Sequence, residues 1–146
     1  MQKFMKLMNN ISRSQAVFRG ERIAEEDLAP GHFALVLAIC REPGRSQEEL
    51  ARELCLNKST VARALGTLEE AGYIQRTPLV SDKRQLSVHP TERMLAIHPR
   101  VREASAEWQS LLTEGIGEEE LAVFHSVLAR MEARARALTV RQEEAK

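Results

Sequence analysis

The chain has 146 residues, 21 of them Lys or Arg and 21 Asp or Glu, so its formal net charge is zero. That balance excludes a protein that coats nucleic acid through bulk charge, and leaves any basic patch to local arrangement. With 43% apolar and 29% charged residues, the composition is that of one soluble globular domain. Aromatics are only 4%, which leaves the core to Leu, Ala, Val, Ile and Met and favours helix over strand. Cys40 and Cys55 make neither a disulfide framework nor a CxxC pair. The longest apolar run, 33–40, is too short to span a bilayer, and no export signal is visible. The expected location is therefore the cytoplasm, with reduced thiols and no membrane partner.

In chain order, Phe4, Leu7, Met8, Ile11 and Phe18 recur at helical spacing and predict an amphipathic first helix over about eighteen residues. The charged stretch 19–27 reads as its end or a loop. Pro30 suits the first turn of a nearly all-apolar helix to about Arg41, which Pro43 and Gly44 stop. Ser46 with Glu49 is a capping-box pair that opens a short helix to about Leu54. Cys55 and Leu56 form a turn, Asn57 caps a helix from Lys58 to about Ala71, and Gly72 terminates it. Residues 73–76 and 85–89 read as two strands joined by a loop over 77–84. Pro90 ends the pairing, and Thr91 caps a helix carrying Met94, Ile97, Val101, Ala104, Trp108 and Leu111 on one stripe, with a kink expected at Pro99. After Gly115 and Gly117 a last helix carries Leu121, Phe124, Leu128, Met131, Ala135 and Leu138, and 141–146 reads as disordered.

Two of these elements carry chemistry. Between helices 47–54 and 58–71, Ala51 allows close approach while Leu50, Leu54, Val61 and Leu65 fill the seam, and Cys55 reads as a small, partly buried group in the turn. The outward positions of the second helix are Lys58, Ser59, Thr60, Ala62, Arg63 and Thr67, with Glu69 and Glu70 kept to its far end. Short donors and cations at the N-terminal half are what a major groove requires of a recognition helix. The hairpin adds Arg76, Lys83 and Arg84 against Asp82. Asp82 and Arg84, two apart, can pair and fix a guanidinium for a narrow minor groove.

Leu50-Ala51 through Val61-Ala-Arg63, then 68–76, then Asp82-Lys-Arg84, resemble the MarR family of bacterial transcriptional regulators. The resemblance covers most of the chain. It implies a mostly α (α+β) fold: one MarR-type domain over 1–146, a winged helix-turn-helix over 30–90, and dimerisation helices in 1–29 and 91–146. By it, Ser59, Thr60 and Arg63 take recognition-helix positions, and Asp82 and Arg84 the wing pair. Where the family often has Leu-Thr-x-x-Gly after the wing, this chain has Pro90-Thr-Glu-Arg-Met94.

The DNA-contact set expected is Lys58, Ser59, Thr60, Arg63, Thr67, Arg76, Asp82, Lys83 and Arg84. The three apolar stripes exceed what one small core can bury, so a homodimer on double-stranded DNA with a near-palindromic operator is expected. Family habit adds repression and a small anionic aromatic effector. Two other readings stay open: a winged-helix protein-interaction module, and a thiol sensor using Cys55. No phosphate loop, nucleophile–base pair or carboxylate cluster suggests an enzyme. The histidines at 32, 89, 98 and 125 lack metal-ligand spacing, and no cofactor is implied.

Overall fold

The computed structural model describes residues 2–24 and 27–145, except for the side chains of 2 and 140–144. In chain order the elements are α1 (Gln2–Arg22), a 3₁₀ turn (Pro30–His32), α2 (Phe33–Arg41), α3 (Gln47–Leu54), α4 (Lys58–Glu70), β1 (Ile74–Pro78), β2 (Leu86–Pro90), α5 (Glu92–Leu112) and α6 (Glu118–Glu144). The chain divides into two compact units, Met1–Gln109 and Ser110–Lys146.

Local chemistry sets the element ends. Ser46 Oγ accepts from the Glu49 amide at 3.1 Å, and Asn57 Oδ1 accepts from the Thr60 amide at 2.7 Å. Each satisfies a donor that a helix N-terminus leaves orphaned. Gly72, at φ +81°, follows α4 in the left-handed region that a side chain disfavours. The first helix runs to Arg22, further than its apolar spacing foretold. Part of the loop expected over 19–27 falls on 25 and 26, which lie outside the described residues. Pro99 sits inside α5 without dividing it. The backbone of α6 continues to Glu144, so the expected disorder from Arg141 gives way to helix, and Lys146 lies outside the described residues.

The strands pair antiparallel from Ile74↔Pro90 to Pro78↔Leu86. Both prolines therefore belong to the ladder, where Pro78 was expected in the loop and Pro90 as the end of pairing. They occupy its terminal pairs, and a strand end tolerates a residue with no N–H to give. A third segment joins them. Gly44 N donates to Val88 O (2.8 Å), Val88 N donates to Arg45 O (2.9 Å), and Ser46 bridges Ser87. This ties the α2–α3 connection to the hairpin.

The core lies in the first unit. Phe33, Leu35, Val36, Ala38 and Ile39 of α2 are buried with Leu50, Val61, Leu65, Leu68, Tyr73, Ile74 and Val88. Burial of each large side chain contributes roughly 1.5–3 kcal/mol. Met94, Ile97, Val101 and Ala104 of α5 complete it. Four of the six residues on the α5 stripe expected at a subunit interface thus serve their own core, and Trp108 and Leu111 do not. Where α4 ends, Thr91 Oγ1 donates to Gly72 O (2.6 Å), and Arg93 donates to Ala71 O while lying 4.3 Å over the Tyr73 ring. Hence the hydroxyl of Thr91 fastens α5 to the end of α4, and its carbonyl accepts from the Leu95 amide (3.0 Å) to start the helix. Near its C-terminus α1 meets α5. The Phe18 and Trp108 rings meet at a tilt of 47° with centroids 5.3 Å apart, and Arg22 forks onto Glu107 at 2.7 and 3.0 Å. Further back, Phe4, Leu7, Met8 and Ile11 are exposed.

Candidate nucleic-acid interface

Helices α3 and α4 are joined by a turn whose geometry follows from its hydrogen bonds. Leu56 N donates to Ala51 O (3.0 Å) and Cys55 N to Arg52 O (3.4 Å), a Schellman closure with Cys55 at φ +53°. The left-handed backbone leaves Cys55 exposed, not partly buried as its sequence context suggested. Asn57 then opens α4 abruptly, with Ser59 Oγ also donating to its Oδ1 at 2.9 Å. Val61, Leu65 and Leu68 face inward, and Lys58, Ser59, Arg63 and Thr67 are exposed, with Thr60 half-buried between the two sets.

The exposed groups of α4 differ in how free they are. Lys58 lies 3.4 Å from Glu48, a surface pair that contributes little and separates readily. Thr67 Oγ1 donates back to Arg63 O (3.2 Å). Arg63 makes no ion pair with a described residue. The positive end of the helix dipole lies at the same end of α4 as Lys58, Ser59 and Thr60.

On the hairpin, Asp82 Oδ1 accepts from the Arg84 amide at 3.1 Å and lies 3.5 Å from Arg84 Nε. The expected wing pair is therefore formed, with the Arg84 side chain 94% exposed. Gln85 N donates to Asp82 O (3.0 Å) and Leu79 N to Gln85 O (2.9 Å), which closes the loop on itself. Arg84 and Gln85 line a cleft of about 120 Å³ with Ser46, Gln47 and Glu48, so the hairpin loop and the start of α3 share one surface.

Arg76 has another place than the sequence suggested. Its side chain is 19% exposed, with Nη1 donating to Gln47 Oε1 (2.8 Å) and Nη2 to Glu69 Oε1 (3.1 Å), while its amide donates to Glu69 Oε2 (3.1 Å). The hydrogen bond from Arg76 holds the Glu69 carboxyl below the usual carboxylate range. Arg76 thus braces α3, α4 and β1 against each other. Gln47 and Glu69 are the functional partners the sequence did not reveal; they lie on separate elements, so no spacing announces them.

Elsewhere in the first unit, Leu37 and Arg41 of α2 and His98 and Arg102 of α5 line a cleft of about 450 Å³. Burial, and then Arg102, lowers the His98 pKa. Cys40 is half-buried against the core, and burial pushes its thiol pKa up, away from the reactive thiolate. Among the described residues no group of three or more His, Cys, Asp or Glu could hold a metal, and no described helix is long and apolar enough to cross a membrane.

A capped helix pair followed by a cationic two-stranded hairpin defines a winged helix-turn-helix DNA-binding protein. The MarR family model matches residues 28–86, and the crystal structure of MarR superposes with a TM-score of 0.79 at 31% identity, over 94% of this chain and 93% of that one. The chain belongs to the MarR family and is a DNA-binding transcriptional regulator. It is 30% identical over 105 residues to the HTH-type transcriptional regulator YybA of Bacillus subtilis (strain 168), 72% of this chain and 70% of that protein. The same fold occurs in a MarR family regulator from Listeria monocytogenes crystallised with a 26mer DNA (TM-score 0.87, 23% identity, 94% of this chain and 93% of that one).

Proposed function

We propose that the protein is a ligand-responsive repressor that binds a near-palindromic operator as a homodimer. Helix α4 enters a major groove, with Lys58, Ser59, Thr60, Arg63 and Thr67 toward base edges and phosphates. The hairpin carries Asp82, Lys83 and Arg84 to the neighbouring minor groove, and Arg76 holds the hairpin at the right angle to α4. The observation that carries this reading is the pair of outward guanidiniums: Arg63, without an ion pair to a described residue, and Arg84, 94% exposed and steadied by Asp82. A protein-interaction module would present an apolar or acidic face there instead.

The exposed apolar residues Phe4, Met8 and Ile11 of α1, and Phe124, Val127 and Met131 of α6, support a second subunit. An anionic aromatic effector fits the cleft of Leu37, Arg41, His98 and Arg102, where Leu37 gives apolar contact and Arg102 a guanidinium, while Arg41 is already paired with Glu53. Thiol control through the exposed Cys55 predicts that oxidised protein loses DNA affinity; unchanged affinity after peroxide treatment rules that out.

The DNA reading is tested on a duplex recovered from a random-sequence pool. Arg63→Ala is expected to lose about 1–3 kcal/mol of discrimination at one base position. Arg84→Ala should weaken binding and lower the slope of log affinity against log salt by about one. Arg76→Ala, by contrast, should lower the urea midpoint as well as weaken binding, because it removes the brace to Gln47 and Glu69 that positions the hairpin. Arg63→Ala and Arg84→Ala should leave the midpoint near the wild-type value. Equal slopes and discrimination in all three variants and the wild type would sink the assignment.

A further inference from the structure

Val80 lies in the hairpin loop between β1 and β2 and is 101% exposed, the most exposed of the large apolar residues described. It does nothing for the fold. The loop closes through Leu79 N to Gln85 O and Gln85 N to Asp82 O, and Asp82 Oδ1 accepts the Arg84 amide, so no bond or core contact depends on Val80. β-branched apolar residues are also unusual in tight loops, where Gly, Asn, Asp, Ser and Pro serve the backbone better. Lys83 and Arg84 in the same loop, against Asp82, leave it a net positive charge that suits the negative minor groove.

We propose that Val80 is a specificity-determining residue: its two methyl groups pack against the sugar walls and floor of the minor groove and exclude guanine. This deepens the wing-in-groove reading above and rests on it. In the minor groove A·T and T·A pairs present only acceptors, whereas a G·C pair adds the guanine N2 amino group on the floor. An apolar side chain seated there can neither accept that group's hydrogen bond nor make room for it, so it leaves a desolvated, unpaired donor. Arg84 reads the potential of the groove, and Val80 reads its chemistry.

The test begins with sites selected by the wild-type homodimer from a random-sequence duplex pool. Synthetic versions of the best site then carry A·T, G·C or inosine·C at the pair under the wing; inosine is guanine without the N2 amino group. The wild type is expected to bind the G·C version roughly tenfold more weakly than the A·T version, with inosine·C restoring affinity. Val80→Ala, which opens room, and Val80→Thr, which keeps the shape but adds an acceptor, should each shrink the G·C loss to under about threefold. Neither changes a charge, so both should keep the wild-type salt slope. Two results overturn the proposal while leaving the DNA reading intact: a wild type indifferent to G·C under the wing, or variants that keep the full tenfold loss. A wild type that enriches no sequence from the pool ends the DNA reading and this proposal together.

Discussion

At the residue scale, Cys55 and Arg76 show how a local environment overrides composition. Cys55 holds φ +53° because the Schellman closure between α3 and α4 demands it. A left-handed conformation costs an L-residue about 1–2 kcal/mol that glycine avoids. Part of that gain is offset by the greater freedom of glycine in the unfolded chain. Cys55→Gly should therefore raise stability by about 0.5–1 kcal/mol, seen as a higher urea midpoint at unchanged slope; an unchanged or lower midpoint contradicts the strain. The sequence identified the turn, since Asn57 and the apolar seam bracket it, but the handedness of one backbone position lies outside any side-chain pattern. Arg76 failed to show its role for a different reason. Its partners Gln47 and Glu69 belong to other elements, and only the packing of β1 on α3 and α4 brings them within 3.1 Å.

At the scale of elements, most boundaries were legible because they are written in short-range chemistry. Ser46, Asn57, Gly72 and the glycines at 115 and 117 act on the next few residues and need no tertiary context. The pairing of Gly44–Ser46 with β2 was not legible, because those residues have no strand pattern and their bonds to Val88 and Ser87 come from tertiary packing. The clamp between α1 and α5 was equally hidden, as Arg22 and Glu107 lie 85 residues apart. That clamp has a pH signature. The hydrogen bond from Arg22, aided by its charge, holds the Glu107 carboxyl below its ordinary value of 4.5. A folded-state pKa below the unfolded one means that the carboxylate form stabilises the fold. The contribution is complete above the ordinary glutamate range and is lost as pH falls through the lowered value. Glu107→Gln should then be less stable than the wild type near neutrality and converge with it in acid. Urea midpoints that stay apart by the same amount from pH 7 to pH 3 would show that the clamp carries no such linkage.

At the scale of the whole molecule, the sequence carried more apolar surface than the first unit uses. The α5 stripe divides: Met94 to Ala104 enter the core, whereas Leu111 is exposed, and α1 and α6 keep exposed apolar residues along their length. Periodicity alone could say that these helices each have an apolar face, but not which part of each face meets its own chain. The second subunit proposed above would account for the remainder and would place two copies of α4 about one DNA turn, ~34 Å, apart. That twofold clamp is the central claim, and selection of binding sites from a random-sequence duplex pool, with the stoichiometry of the complex weighed by light scattering, tests it most directly. The expected result is two inverted half-sites centred about one helical turn apart with two chains per duplex, whereas single unpaired half-sites held by one chain, or no enriched sequence, would contradict it.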